Sequence, residues 1–117
     1  YQIKLNNSKE RKIMVKKISK NEFEQVKNDE IAVIDFSAEW CGPCKMLAPV
    51  MEEVSEEFGD AVSFYNIDVD ENMDIAQMYK IVSIPALILL KKGESVDMQI
   101  GFQPKDGVVS FIKSHLG

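Results

Sequence analysis

Two cysteines and one histidine are all that this 117-residue chain offers of the Cys and His side chains that make up structural zinc sites. A structural zinc site normally takes four such ligands, and His115 is far along the chain from Cys41 and Cys44. Metal binding is left with little beyond a site shared between two chains. Nor do two cysteines make a disulfide-dense scaffold, and the four-residue loop they would close constrains the unfolded chain very little. Basic residues form no block and the net charge is -5. That balance argues against a nucleic-acid partner, whose phosphates demand clustered Lys and Arg. No apolar run approaches the roughly 20 residues of a membrane span, so no membrane partner is expected. From Met14 onward there is also no Pro/Ser-rich linker, repeat or low-complexity tract.

What is present is the composition of an ordinary globular domain, 45% hydrophobic and 28% charged, in a chain long enough for one core and too short for two. Residues 1–13 are read as an N-terminal extension, flexible in character, and residues 14–117 as a single domain. The opening "YQIKLNNSKERK" is polar and basic, has no apolar core of a signal peptide and shows no clear period. Because Lys9 to Lys12 can all be written in purine codons, Met14 is a candidate true start preceded by a bacterial ribosome-binding tract. A natural extension or the mature end of an exported precursor is the alternative, and the intact mass of protein from its native cell separates them.

The domain alternates in type. "IMVKKI" reads as a short first strand, and Ser19 with Glu22 forms a capping box opening a helix that carries Phe23 and Val26. Ile31 to Ala38, "IAVIDFSA", is almost wholly apolar and rich in β-branched residues, as in a central strand buried on both faces. A long helix follows, with Met46, Leu47, Val50, Met51, Val54 and Phe58 at helical spacing and acids opposite. Pro49 inside it predicts a kink and leaves the Lys45 carbonyl without its partner. "AVSFYNIDV" reads as a strand, "MDIAQMYK" as a short helix, and "ALILLKKGESVDMQIG" as a hairpin turning at Lys92-Gly93. A last helix spans about Lys105 to His115, with Val108, Phe111, Ile112 and Leu116 inward. This order predicts an α/β fold: a central mixed sheet of four to five strands with helices on both faces.

Both cysteines lie in "WCGPCK", Trp40 to Lys45, beside the only tryptophan. Cys41 falls at a strand-to-helix junction, where free N–H groups and the positive end of the helix dipole stabilise a thiolate; it should be the nucleophile. Cys44, three residues on and on the same face, should lie deeper and stay protonated until needed. Gly42 permits the tight turn and Pro43 suits a first helical turn. Asp35 is the second anomaly. A carboxylate within "IAVIDF" is costly to bury ionised, so desolvation should raise its pKa into the range useful for proton transfer. Pro85 in "VSIPAL" could be simple edge punctuation, and the residues alone give no reason to read its peptide bond as cis.

With "DFSAEWCGPCKMLAP", the "SIPA" proline, the "KKGE" hairpin and the glycine of "IGF" in hand, the chain resembles the thioredoxin family from about Met14 to its end. The resemblance implies the thioredoxin fold, with the active site at the start of the second helix, and the reduction of disulfides in client proteins. It implies that Cys41 attacks the client disulfide, that Cys44 resolves the mixed disulfide, and that Asp35 manages the Cys44 proton. It implies a cis bond at Pro85, facing the dithiol, and backbone groups of Ile84 that pair with an extended client segment. Trp40, Gly42, Pro43, Ile84, Pro85, Gly101 and Phe102 would form the docking surface, although turn and core roles would account for the same residues. The implied partners are a thioredoxin reductase and disulfide-containing clients, with no cofactor beyond the redox-active cysteine pair.

Three positions depart from the commonest family pattern. Ser37 stands where many bacterial members carry a second tryptophan, and Asn66 where some carry a lysine near the buried acid. The pKa of Asp35 should lie higher than in lysine-bearing relatives. Phe102 follows Gly101 where a small residue is common; it should strengthen binding to apolar clients and clash with bulkier ones. Nothing cationic lies between Cys41 and Cys44, which favours a reductase over an oxidant. A cytoplasmic, monomeric general reductase is the leading expectation. An exported reductase and a non-catalytic subunit binding through the same groove are the alternatives.

Overall fold

The computed structural model describes residues 14–116; the extension expected at 1–13 lies outside the described residues. Its centre is β2 (Ile31–Ser37), in which Ala32, Val33, Ile34 and Phe36 are fully buried. A strand so apolar on both sides needs cover on both faces and partners on both edges. It finds its edge partners in β3 (Ser63–Asp68), which is parallel to it, and β4 (Ala86–Lys91), which is antiparallel. β1 (Val15–Lys17) joins parallel to β3 and β5 (Glu94–Ile100) antiparallel to β4, so the strand order is β1-β3-β2-β4-β5. The expected first strand is thus only three residues long. Ile18 still donates its N–H to the Asn66 carbonyl at 3.0 Å before the chain turns away.

One face of the sheet is covered by α1 (Gly42–Phe58) and α3 (Lys105–Lys113). Leu47, Met51 and Val54 of the first and Val108 and Ile112 of the second pack on Val33, Phe64, Leu87 and Leu89. Phe111 and Leu116 join this core only partly buried, and His115, beyond the helix, contacts Asp97 at 2.7 Å. Met46, expected to face inward, is 59% exposed. Leu47 and Met51 already occupy the inner stripe, and Met46 is turned about 100° away from Leu47 around the helix axis. α1 also runs from Gly42 to Phe58 without interruption through Pro49. Pro49 and Lys45 are both exposed, so the carbonyl freed by the proline lies on the solvent side, where water can satisfy it.

The other face is covered by Lys20–Asn28 and by α2 (Met73–Met78), which bury Phe23, Val26 and Ile75 against Ile34, Phe36, Tyr65, Ile67 and Ile88. The first of these segments is a 3-10 helix along its whole length and not an α-helix. Its start is the expected one: the Glu22 carboxylate accepts the Ser19 N–H at 2.9 Å and the Ser19 hydroxyl at 3.1 Å.

The hairpin turns where expected, with Lys92 at φ 50 and Gly93 at φ 86. Lys80, just after α2, also has a positive φ, 57, in which its Cβ crowds the backbone. We expect Lys80→Gly to raise stability by about 0.5–1 kcal/mol, the relief of left-handed strain less the added freedom of the unfolded chain. An unchanged or lower urea midpoint, at constant denaturant slope, would show that no strain is held there.

Candidate active site

β2 delivers the chain to one end of the sheet, where Ala38, Glu39 and Trp40 turn it into α1. Cys41 is the N-cap of that helix: its N–H donates to the Ala38 carbonyl and its own carbonyl accepts from Lys45, each at 3.2 Å. Its Sγ accepts the Cys44 N–H at 3.2 Å, and the two cysteines are joined as a disulfide. Pro43 occupies the first turn, which contains no acidic residue, so the positive end of the helix dipole acts on Cys41 Sγ uncompensated. Cys44 was expected to be the deeper of the two, but in this oxidised form both are 4% exposed. The difference between them lies in what they face. Cys44, and not Cys41, lines a cavity of about 380 Å3 behind the disulfide, in a wall shared with Asp35, Ser37 and Asn66.

Asp35 is 3% exposed, and its Oδ1 has no hydrogen-bond partner. Burial pushes its carboxyl up to about 7, with the neighbouring Asn66 amide opposing in part. The amide does not bond Oδ1. Its Nδ2 donates to the Asp35 carbonyl at 3.1 Å and to Ser37 Oγ at 2.9 Å, tying β3 to the end of β2. Two of the three positions that depart from the family pattern therefore bond each other.

Across the disulfide, the Ile84–Pro85 peptide bond is cis, Pro85 is buried, and Ile84 packs partly buried with Ala38, Cys41 and Cys44. Among the described residues nothing hydrogen-bonds the Ile84 backbone. Gly101, at φ 91, donates its N–H to the Pro85 carbonyl at 2.8 Å and so fastens the end of β5 beside this proline. Phe102 next to it is 37% exposed, and Gly42 and Pro43 are exposed on the opposite side. Trp40 is 70% exposed, which removes the core role open to it from sequence. It is held by a hydrogen bond from Nε1 to Asp70 Oδ2 of 2.8 Å. Asp70 was missed from the sequence, since in "DVDEN" it is one acid of a polar turn. Nothing in that pattern ties it to a tryptophan thirty residues away.

Among the described residues no group of three His, Cys, Asp or Glu could hold a metal ion, and no helix is long and apolar enough to cross a membrane. A disulfide across the first turn of a helix, beside a buried acid and at one end of an α/β sheet, defines a thiol–disulfide oxidoreductase. Comparison with known proteins makes this particular. The thioredoxin family model matches residues 14–114. Bacillus subtilis thioredoxin is 43% identical over 100 residues, 86% of this chain and 96% of the relative, and a Staphylococcus epidermidis thioredoxin is 41% identical over the same shares. Among solved structures, Malassezia sympodialis thioredoxin superposes with a TM-score of 0.82 at 39% identity, covering 91% of this chain and 94% of the other. The chain belongs to the thioredoxin family, and its activity is that family's protein-disulfide reduction.

The raised Asp35 makes stability depend on pH. Because the acid binds its proton more tightly folded than unfolded, that proton's contribution is complete below the unfolded value of about 4 and is lost as pH rises through about 7. Asp35→Asn, which cannot ionise, should therefore be more stable than the parent at pH 8 by roughly 2–4 kcal/mol, and not at pH 4. Urea unfolding of the two disulfide-intact proteins at both values checks this; a gap independent of pH would contradict it.

Proposed function

We propose that Cys41 is the attacking thiol and Cys44 the resolving one. The observation that carries this is their different surroundings: Cys41 Sγ is the helix cap, accepting the Cys44 N–H at 3.2 Å, whereas Cys44 faces the cavity that holds Asp35. In the reduced protein the Cys41 thiolate attacks one sulfur of a client disulfide. The client S–S bond breaks, its second sulfur leaves as a thiolate, and a mixed disulfide forms. Cys44 then gives its proton to Asp35 and attacks Cys41 Sγ, which releases the first client sulfur. Two electrons have passed to the client, and the Cys41–Cys44 disulfide is the oxidised product.

Docking uses the rim around that bond. Trp40, Gly42 and Pro43 form one side; Ile84, Pro85, Gly101 and Phe102 form the other. The unbonded Ile84 backbone supports strand-like pairing with an extended client segment. A thioredoxin reductase returns the dithiol, and the protein works as a monomer in the cytoplasm, where such pairs are kept reduced. Residues 14–117 form the working domain, with 1–13 as its extension. No observation favours the non-catalytic subunit.

Cys44→Ser should accumulate a mixed disulfide with disulfide-bonded substrates such as insulin, visible by intact mass, while Cys41→Ser should form none and lose nearly all reductase activity. Trapping through Cys44 instead would reverse the roles. Phe102→Ala should weaken docking of clients with apolar flanks by about 1 kcal/mol, roughly fivefold in kcat/KM. Unchanged rates across several clients would remove Phe102 from the rim.

A further inference from the structure

The exchange steps give Asp35 a proton to accept but no partner for its charge. Its Oδ1 is buried in the wall of the cavity behind the disulfide without a partner, which is tolerable for a neutral acid and costly for a carboxylate. Any cation able to enter that cavity decides how costly. The sheet register identifies one. Lys17 is the Cα partner of Asn66 in β1–β3, and Asn66 is the partner of Asp35 in β3–β2. Side chains directly opposite one another share a face, so Lys17, Asn66 and Asp35 form one row across three strands. At about 4.8 Å per strand, Lys17 stands about 10 Å from Asp35, backbone to backbone. The residue between them is short, and its amide is bonded toward the Asp35 carbonyl and Ser37. Lys17 lines the cavity beside both, and among the described residues it makes no ion pair.

The other titratable groups facing the cavity come from α1: Cys44, Lys45 and Glu52. β4 contributes the register neighbour Leu87, which carries no charge. The Glu52 carboxylate accepts the Met14 N–H at 3.3 Å. Lys45 leaves from the helix, whereas Lys17 rises from the same sheet face as the acid, on a flexible four-carbon stem.

We propose that Lys17 is the positioning cation of this site, its ammonium reaching over Asn66 into the cavity to stabilise the Asp35 carboxylate. It thereby sets how readily Asp35 exchanges the proton of Cys44; that consequence rests on the role proposed above for Asp35. Lys17 touches no reacting atom and acts only through the acid.

The test is the pH titration of the Asp35 carboxyl carbon by NMR in the full, reduced chain, with the pH profile of mixed-disulfide resolution measured alongside. In Lys17→Met the Asp35 midpoint should rise by about half a pH unit, roughly a threefold smaller ratio of carboxylate to acid. The resolution profile should move with it. Lys17→Arg should keep the parent midpoint. Lys16→Met removes the same charge from the opposite face of β1 and should leave the midpoint in place. A Lys17→Met midpoint equal to the parent's overturns the proposal, as does an equal shift in Lys16→Met, which would make the effect one of net charge. A midpoint that rises while the resolution profile stays fixed supports the Lys17 coupling and removes Asp35 from proton transfer.

Discussion

Strand β2 is buried on both faces and hydrogen-bonded along both edges, and the rest of the molecule is arranged around meeting those four demands. Two helices on one face and two helical segments on the other exist to keep water from Val33 on one side and Ile34 and Phe36 on the other. Asp35 sits within this strand at 3% exposure. The burial that holds the fold together is therefore the same burial that keeps this carboxyl protonated to about 7.

Topology then gathers the remaining parts at one end of the sheet. β2 and β3 run parallel and end there, β4 is antiparallel to β2 and begins there, and β5 returns to end there. Residues 38–44, 69–70, 84–85 and 101–102 are far apart in sequence and become neighbours only for this reason. The hydrogen bonds that close the site each join two of these segments or two of these strands: Trp40 to Asp70, Gly101 to Pro85, Asn66 to Ser37. A disulfide-exchange site on this scaffold is held by the strand ends, and only the sulfur pair is local.

That division explains what was legible in the sequence. The two-sided burial of β2, the capping at Ser19 and Glu22, the hairpin at Lys92-Gly93 and the helix start at Cys41 are all local patterns, and each could be read from a few consecutive residues. The burial of Asp35 was readable for the same reason, since its neighbours on both sides are apolar. Met46 was misread because its apolar side chain fits the helical count, while the choice of inner stripe belongs to the sheet beneath. The 3-10 winding of Lys20–Asn28 buries Phe23 and Val26, three residues apart, on the sheet just as an α-helix would, so the apolar spacing does not distinguish the two. The cis bond before Pro85 came from family likeness alone. Trp40–Asp70 and the row Lys17–Asn66–Asp35 need strand order and register, and no short stretch contains either.

The depth of Asp35 and the packing of α1 are coupled more tightly than the separation of core from site implies. Cys44, Leu47 and Met51 lie on one stripe of that helix, so the residues that press it onto Val33 and Leu87 also fix the cavity that Cys44 shares with the acid. Loosening the stripe would admit water to Asp35, lower its pKa and let it ionise where it now holds a proton. Tightening it would close the cavity that Cys44 shares with Asp35. Burial of Asp35 therefore costs folded-state stability at neutral pH, and under the proton transfer proposed above that cost keeps the carboxyl titrating in the range where it can accept the Cys44 proton.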